Sequence, residues 1–79
     1  MAKFRIWCRT DEVGPNQYLS VVTAIPDDLA PASSSSRIES ESRLMSTRAG
    51  AIEQCAHMAT GMGDRIRKRG DEVSVIEAV

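Results

Sequence analysis

The chain has 79 residues, 42% of them hydrophobic and 27% charged, with 10 Lys and Arg against 11 Asp and Glu and a formal net charge of −1. That length excludes two independent cores and leaves little room for an enclosed small-molecule pocket of ~300 Å³ or more. Charge is balanced along the whole chain, which excludes the basic excess that dedicated duplex-DNA binders use to neutralise phosphates.

Lys3 to Arg9 alternates strictly, with Phe4, Ile6 and Cys8 on one side and Lys3, Arg5, Trp7 and Arg9 on the other. A period of two marks a strand with one buried face. Gly14-Pro15-Asn16 supplies free φ, fixed φ and a local hydrogen-bonding side chain, so a turn within Asp11–Gln17 is expected. Tyr18 to Ile25 is β-branched and aromatic enough for a second strand, with Leu19, Val21, Thr23 and Ile25 read as its inward residues. The pair forms a β-hairpin with a long loop.

Pro26-Asp27-Asp28-Leu29-Ala30-Pro31 and the serine run Ser33–Ser36 predict a flexible surface loop over 26–36. Residues 37–45 alternate as a third strand would, with Ile38 and Leu44 inward and Arg37, Glu39, Glu41, Arg43 and Met45 outward. A longer helix is the alternative: Met45, Ala49, Ile52, Ala56 and Ala59 hold helical spacing, and Ser36 with Glu39 resembles a capping box. The strand is preferred because two strands alone make a marginal sheet, and Ser46 or Thr47 is a natural N-cap for a later start.

The helix is the clearest element. Ile52, Cys55, Ala56, Ala59, Met62, Gly63 and Ile66 form one apolar stripe, with Gln54, His57, Asp64 and Lys68 opposite. Gly61 and Gly63 lie inside it, and close approach to the sheet, at a position where a side chain would not fit, is the expected reason, with a kink as the competing explanation. Arg65, Arg67, Lys68 and Arg69 crowd its final turn, where cations complement the helix dipole, and Gly70 fits a left-handed C′ position. Val73 to Val79 reads as a last strand. The expected fold is a single α+β domain over 1–79, β-β-β-α-β, an antiparallel sheet with one helix packed on one face; the alternative is β-β-α-β with the longer helix.

Chemistry-bearing residues are few. Cys55 and His57 are two apart on a helix, about 200° around its axis, so they cannot share a metal ion. Cys8 and Cys55 both point to the expected core and are read as two reduced core thiols. His57, the lone histidine, is read as a solvated helix-face residue. Gly61-Met62-Gly63 sits within a helix, whereas phosphate-binding glycines precede one. No metal and no cofactor are expected. Charges interrupt every apolar stretch of MAKFRIWCRT and no run approaches a membrane span, so the expected localisation is cytoplasmic.

The remaining candidate is the sheet face that the helix leaves uncovered. Arg5, Trp7, Arg9, Tyr18 and Arg43 are its candidate binding residues, since Trp, Tyr and Arg are the side chains that most often anchor interfaces. Arg65, Arg67, Lys68 and Arg69 make a secondary basic patch. Arginines around an aromatic on an open sheet also suit single-stranded nucleic acid.

The order of elements is loosely similar to HicB-type antitoxins and to double-stranded-RNA-binding-like folds, without the motifs of either. At class level the chain resembles compact inhibitor proteins of phages and mobile elements, including anti-CRISPR proteins: short, soluble and free of catalytic motifs. With the Trp7–Arg face and the absence of catalytic groups, the expectation is a non-catalytic binding protein, an inhibitor or regulator occupying a surface of a protein or ribonucleoprotein partner; the uncovered sheet face or an exposed strand edge leaves monomer or homodimer open. One alternative is a single-stranded nucleic-acid-binding module on the open sheet face. The other is a small enzyme using Cys8, Cys55 or His57.

Overall fold

A computed structural model of the protein describes residues 3–26 and 38–78. The elements are β1 (Lys3–Gly14), β2 (Gln17–Pro26), β3 (Glu39–Met45), α1 (Arg48–Lys68) and β4 (Glu72–Ala78). They form one four-stranded sheet in the order β3-β2-β1-β4, with α1 packed on it. The domain is thus β-β-β-α-β. The expected loop 26–36 lies outside the described residues apart from Pro26, which ends β2, and Arg37 also lies outside them.

β1 and β2 are joined by a tight turn at Pro15-Asn16 rather than by a long loop. Asn16 takes a positive φ of 54°, a conformation Asn tolerates better than most residues. A register shift between Glu12 and Gly14 brings the two strands into line. Thereafter Cys8 stands opposite Val22, Ile6 opposite Ala24 and Phe4 opposite Pro26.

This register corrects the assignment of β2. Paired residues share a face, so Ser20, Val22, Ala24 and Pro26 lie with Phe4, Ile6 and Cys8 beneath the helix. Ser20, Val22, Ala24 and Pro26 are buried, whereas Leu19, Val21, Thr23 and Ile25, expected inside, are half-buried on the other side. The reason is packing distance. Small residues on β2 let α1 approach, and the Ser20 hydroxyl donates to the Ala51 carbonyl oxygen at 2.6 Å.

β3 is inverted in the same way. Glu39, Glu41, Arg43 and Met45 stand opposite Ala24, Val22, Ser20 and Tyr18 and so share the helix side, while Leu44 stands opposite Leu19. Leu44 and Ile38, both expected inward, are 56% and 42% exposed.

Thr47 caps α1, its hydroxyl accepting the Gly50 N–H at 3.0 Å. The buried stripe is Ala51, Cys55, Met58, Ala59, Met62, Gly63 and Ile66. The helix is therefore turned slightly from expectation: Ala51 and Met58 face the sheet, and Ile52 and Ala56 face solvent. Phe4, Ile6, Met62 and Ile66 are the largest fully buried side chains, each worth about 1.5–3 kcal/mol of transfer from water.

A helix of 21 residues rises about 32 Å, enough to carry the chain back along the sheet. The strand after it therefore runs in the direction of β3. β4 accordingly pairs parallel with β1, and the sheet is mixed, a departure from the antiparallel expectation for this last strand. A shift between Phe4 and Arg5 leaves Ser74 as an extra residue, and its hydroxyl donates to the Phe4 carbonyl at 3.1 Å. Gly70, at φ 94°, ends the helix as expected, with the Asp71 N–H donating to the Ile66 carbonyl at 3.2 Å.

Candidate functional site

With α1 on one side, the opposite side of the sheet is defined by register. β1 contributes Arg5, Trp7, Arg9 and Asp11; β2 contributes Leu19, Val21, Thr23 and Ile25; β3 contributes Ser40, Ser42 and Leu44; β4 contributes Val75 and Glu77. Trp7, 39% exposed, sits between Thr23 and Glu77. Trp7, Arg9, Val21 and Thr23 line a half-open hollow of about 410 Å³. It lies on the surface rather than within the core.

Of the five expected binding residues, Arg5, Trp7 and Arg9 stand together on this face. Tyr18 and Arg43 do not: they belong to the helix side, and the Tyr18 ring lies 5.2 Å from the Arg48 guanidinium carbon. The inverted phase of β2 and β3 removes them. In their place stand Val21, Thr23 and Leu44, which the sequence reading assigned inward. Arg9, which lines the hollow, pairs with Asp11 at 2.9 Å.

The basic end of α1 is drawn into ion pairs. Arg65 pairs with Glu41, Arg69 with Glu39 at 2.6 Å and Asp71 at 3.1 Å, and Arg67 with Asp64 at 3.6 Å. Glu39, first, and Asp71 stabilise the charged Arg69 guanidinium and raise its pKa above the ordinary value, partly opposed by desolvation. Arg69 also lies 5.1 Å from the centre of the Phe4 ring. Glu39 and Glu41, expected on the open face, therefore serve this cluster instead. Lys68 remains exposed.

Cys8 and Cys55 are joined in a disulfide, with Cα atoms 5.7 Å apart, rather than standing as separate reduced thiols. Register explains it: Cys8 is on the helix side of β1 and Cys55 is wholly buried on α1 directly above. His57 points outward with Glu53 at 3.8 Å, so the structure does not bring it to the cysteines. Among the described residues, no group of three or more His, Cys, Asp and Glu is placed to hold a metal ion, and no helix is long and apolar enough to cross a membrane. No family model, curated protein or solved structure matches the chain.

Proposed function

We propose that the protein is a non-catalytic binding module, an inhibitor or regulator that lays its open sheet face on a protein or ribonucleoprotein partner, in the manner of anti-CRISPR proteins. One observation carries this reading. β2 presents Leu19, Val21, Thr23 and Ile25 away from the helix, with Trp7 and Leu44 beside them, so an apolar strip runs along the middle of the second face between the charged residues of β1 and the serines of β3. A two-layer domain gains nothing from a second apolar face unless something else covers it. An aliphatic floor with a Trp–Arg anchor suits a protein surface.

The same geometry weighs against single-stranded nucleic acid. Stacking platforms use several aromatic rings and a cationic track. Here Trp7 is the single aromatic side chain on the face, and Tyr18 and Arg43 stand on the other side.

The test is affinity capture from the native host with the wild-type chain, Trp7→Ala and Leu44→Asp. The expected result is an identified protein or ribonucleoprotein retained by the wild type and lost from both variants, which keep the wild-type far-UV circular dichroism. Identical retention by all three chains would overturn the proposal. So would quenching of Trp7 fluorescence by single-stranded oligonucleotides with steep salt dependence.

A further inference from the structure

The residues that line the hollow are the chain neighbours of one strand pair. Trp7 and Arg9 flank Cys8, Val21 and Thr23 flank Val22, and Cys8 stands directly opposite Val22. Consecutive side chains of a strand point to opposite faces, so the floor of the hollow and the disulfide are two sides of the same stretch of backbone. Behind that floor, Cys55 Sγ lies 3.5 Å from the Val21 carbonyl oxygen and 3.6 Å from that of Arg9. The covalent tie between helix and sheet thus sits where the candidate binding surface is concave.

We infer that the open face is under thiol–disulfide control: the Cys8–Cys55 bond holds Trp7, Arg9, Val21 and Thr23 in their binding arrangement, and reduction by a dithiol loosens it. This rests on reading the open face as the binding surface. In the reducing step a thiolate of the dithiol attacks Cys8 Sγ, Cys8 being the less buried of the two residues. The protein S–S bond breaks, and Cys55 leaves as a thiolate that takes up a proton. The second thiolate of the reagent then attacks its own sulfur in the mixed disulfide. Cys8 is released and protonated, the reagent closes to a cyclic disulfide, and two electrons have passed to the protein.

Two sulfurs no longer bonded must separate to van der Waals contact. In a close-packed interior that displacement is transmitted to β1 or α1 rather than absorbed locally. Of the two thiols that reduction creates, that of Cys55, which is wholly buried, has acceptors in the Val21 and Arg9 carbonyls, and Cys8 is only partly buried.

Trp7 is the only tryptophan of the chain and reports directly on the hollow. The experiment follows acrylamide quenching of its fluorescence, and binding of the sulfonated aromatic dye 1-anilinonaphthalene-8-sulfonate, in oxidised and dithiothreitol-treated protein. On reduction the quenching constant is expected to rise at least twofold and dye affinity to fall at least fivefold. Far-UV circular dichroism stays the same, and both changes reverse on reoxidation. The Cys8→Ala/Cys55→Ala double variant gives the reduced values under both conditions.

Three results would overturn the inference: no disulfide by mass spectrometry in air-oxidised protein, unchanged quenching on reduction, or loss of the circular dichroism signal, which would make the bond a staple of the whole fold. Dye binding that ignores Trp7→Ala in the oxidised protein counts against the face as a binding surface. Tryptophan quenching still decides the redox step in that case.

Discussion

Ser20 on β2 donates its hydroxyl proton to the Ala51 carbonyl in the first turn of α1, both residues being fully buried. That contact fixes which side of β2 meets the helix. Ser20→Ala is expected to cost about 1 kcal/mol, the net worth of one buried hydrogen bond, because Ala51 retains its helical partner. Ser20→Val, with a larger and apolar side chain, is expected to cost about 1–3 kcal/mol by overpacking. Urea denaturation of the three chains checks the order.

The same residue shows where the sequence could be read and where it could not. Alternation in Lys3–Arg9 is between charge and hydrophobe, so the inward face of β1 is legible, and Phe4 and Ile6 are indeed buried. Gln17–Pro26 carries no charged residue, and hydrophobicity alone does not choose a face there. Size misleads at this point: Ser20, Val22 and Ala24 lie inside because a helix packs closely over small residues. The uncharged run was itself the available signal that both faces of β2 are covered or meant to be. The phase of β3 follows β2, so Tyr18 and Arg43 were misplaced together. The pairing of Glu39 and Glu41 with helix arginines was invisible for the same reason.

Gly63 was expected at a contact too close for a side chain, and the geometry differs. A Cβ there would meet Ile6 Cδ1 and an Arg67 guanidinium nitrogen at 3.6 Å, and at Gly61 an Arg65 nitrogen at 3.7 Å, all ordinary contact distances. Gly61→Ala and Gly63→Ala are each expected to stabilise the domain by about 0.5–1 kcal/mol through helix propensity. Gly70→Ala, by contrast, forces a side chain into the positive-φ region and is expected to destabilise by about 1–2 kcal/mol. Thermal unfolding of the three variants separates the signs.

The disulfide closes a loop spanning 47 positions. Loop-closure entropy for that length is about 4 kcal/mol, an upper value for what reduction removes from stability. Reduced protein is therefore expected to unfold about 10–20 °C lower while remaining cooperative. An unchanged midpoint would mean that the loop-closure gain is offset in the native state or by residual structure in the unfolded chain.

Arg69 bridges Glu39 of β3 and Asp71 beyond the helix, and its side chain is 41% exposed. Exposed pairs of this kind contribute about 0–1 kcal/mol and are screened by salt. Glu39→Gln is expected to lower stability by less than 1 kcal/mol at low ionic strength, with the difference shrinking in 1 M NaCl. A larger loss that persists in salt would point to packing of the arginine stem on Phe4 as the greater part.

Leu44 and Ile52 offer a matched comparison, since they are aliphatic, 56% and 55% exposed, and placed on opposite sides of the molecule. Leu44 lies on the open sheet face opposite Leu19, whereas Ile52 lies on the solvent side of α1. Substitution by Lys at either position removes little buried area, so each is expected to change stability by about 0.5 kcal/mol or less. If the open face meets the partner, Leu44→Lys weakens partner binding at least tenfold, about 1.4 kcal/mol, and Ile52→Lys leaves it unchanged. Equal losses from both would assign the effect to charge rather than place, and a loss from Ile52→Lys alone would move the binding surface to the helix.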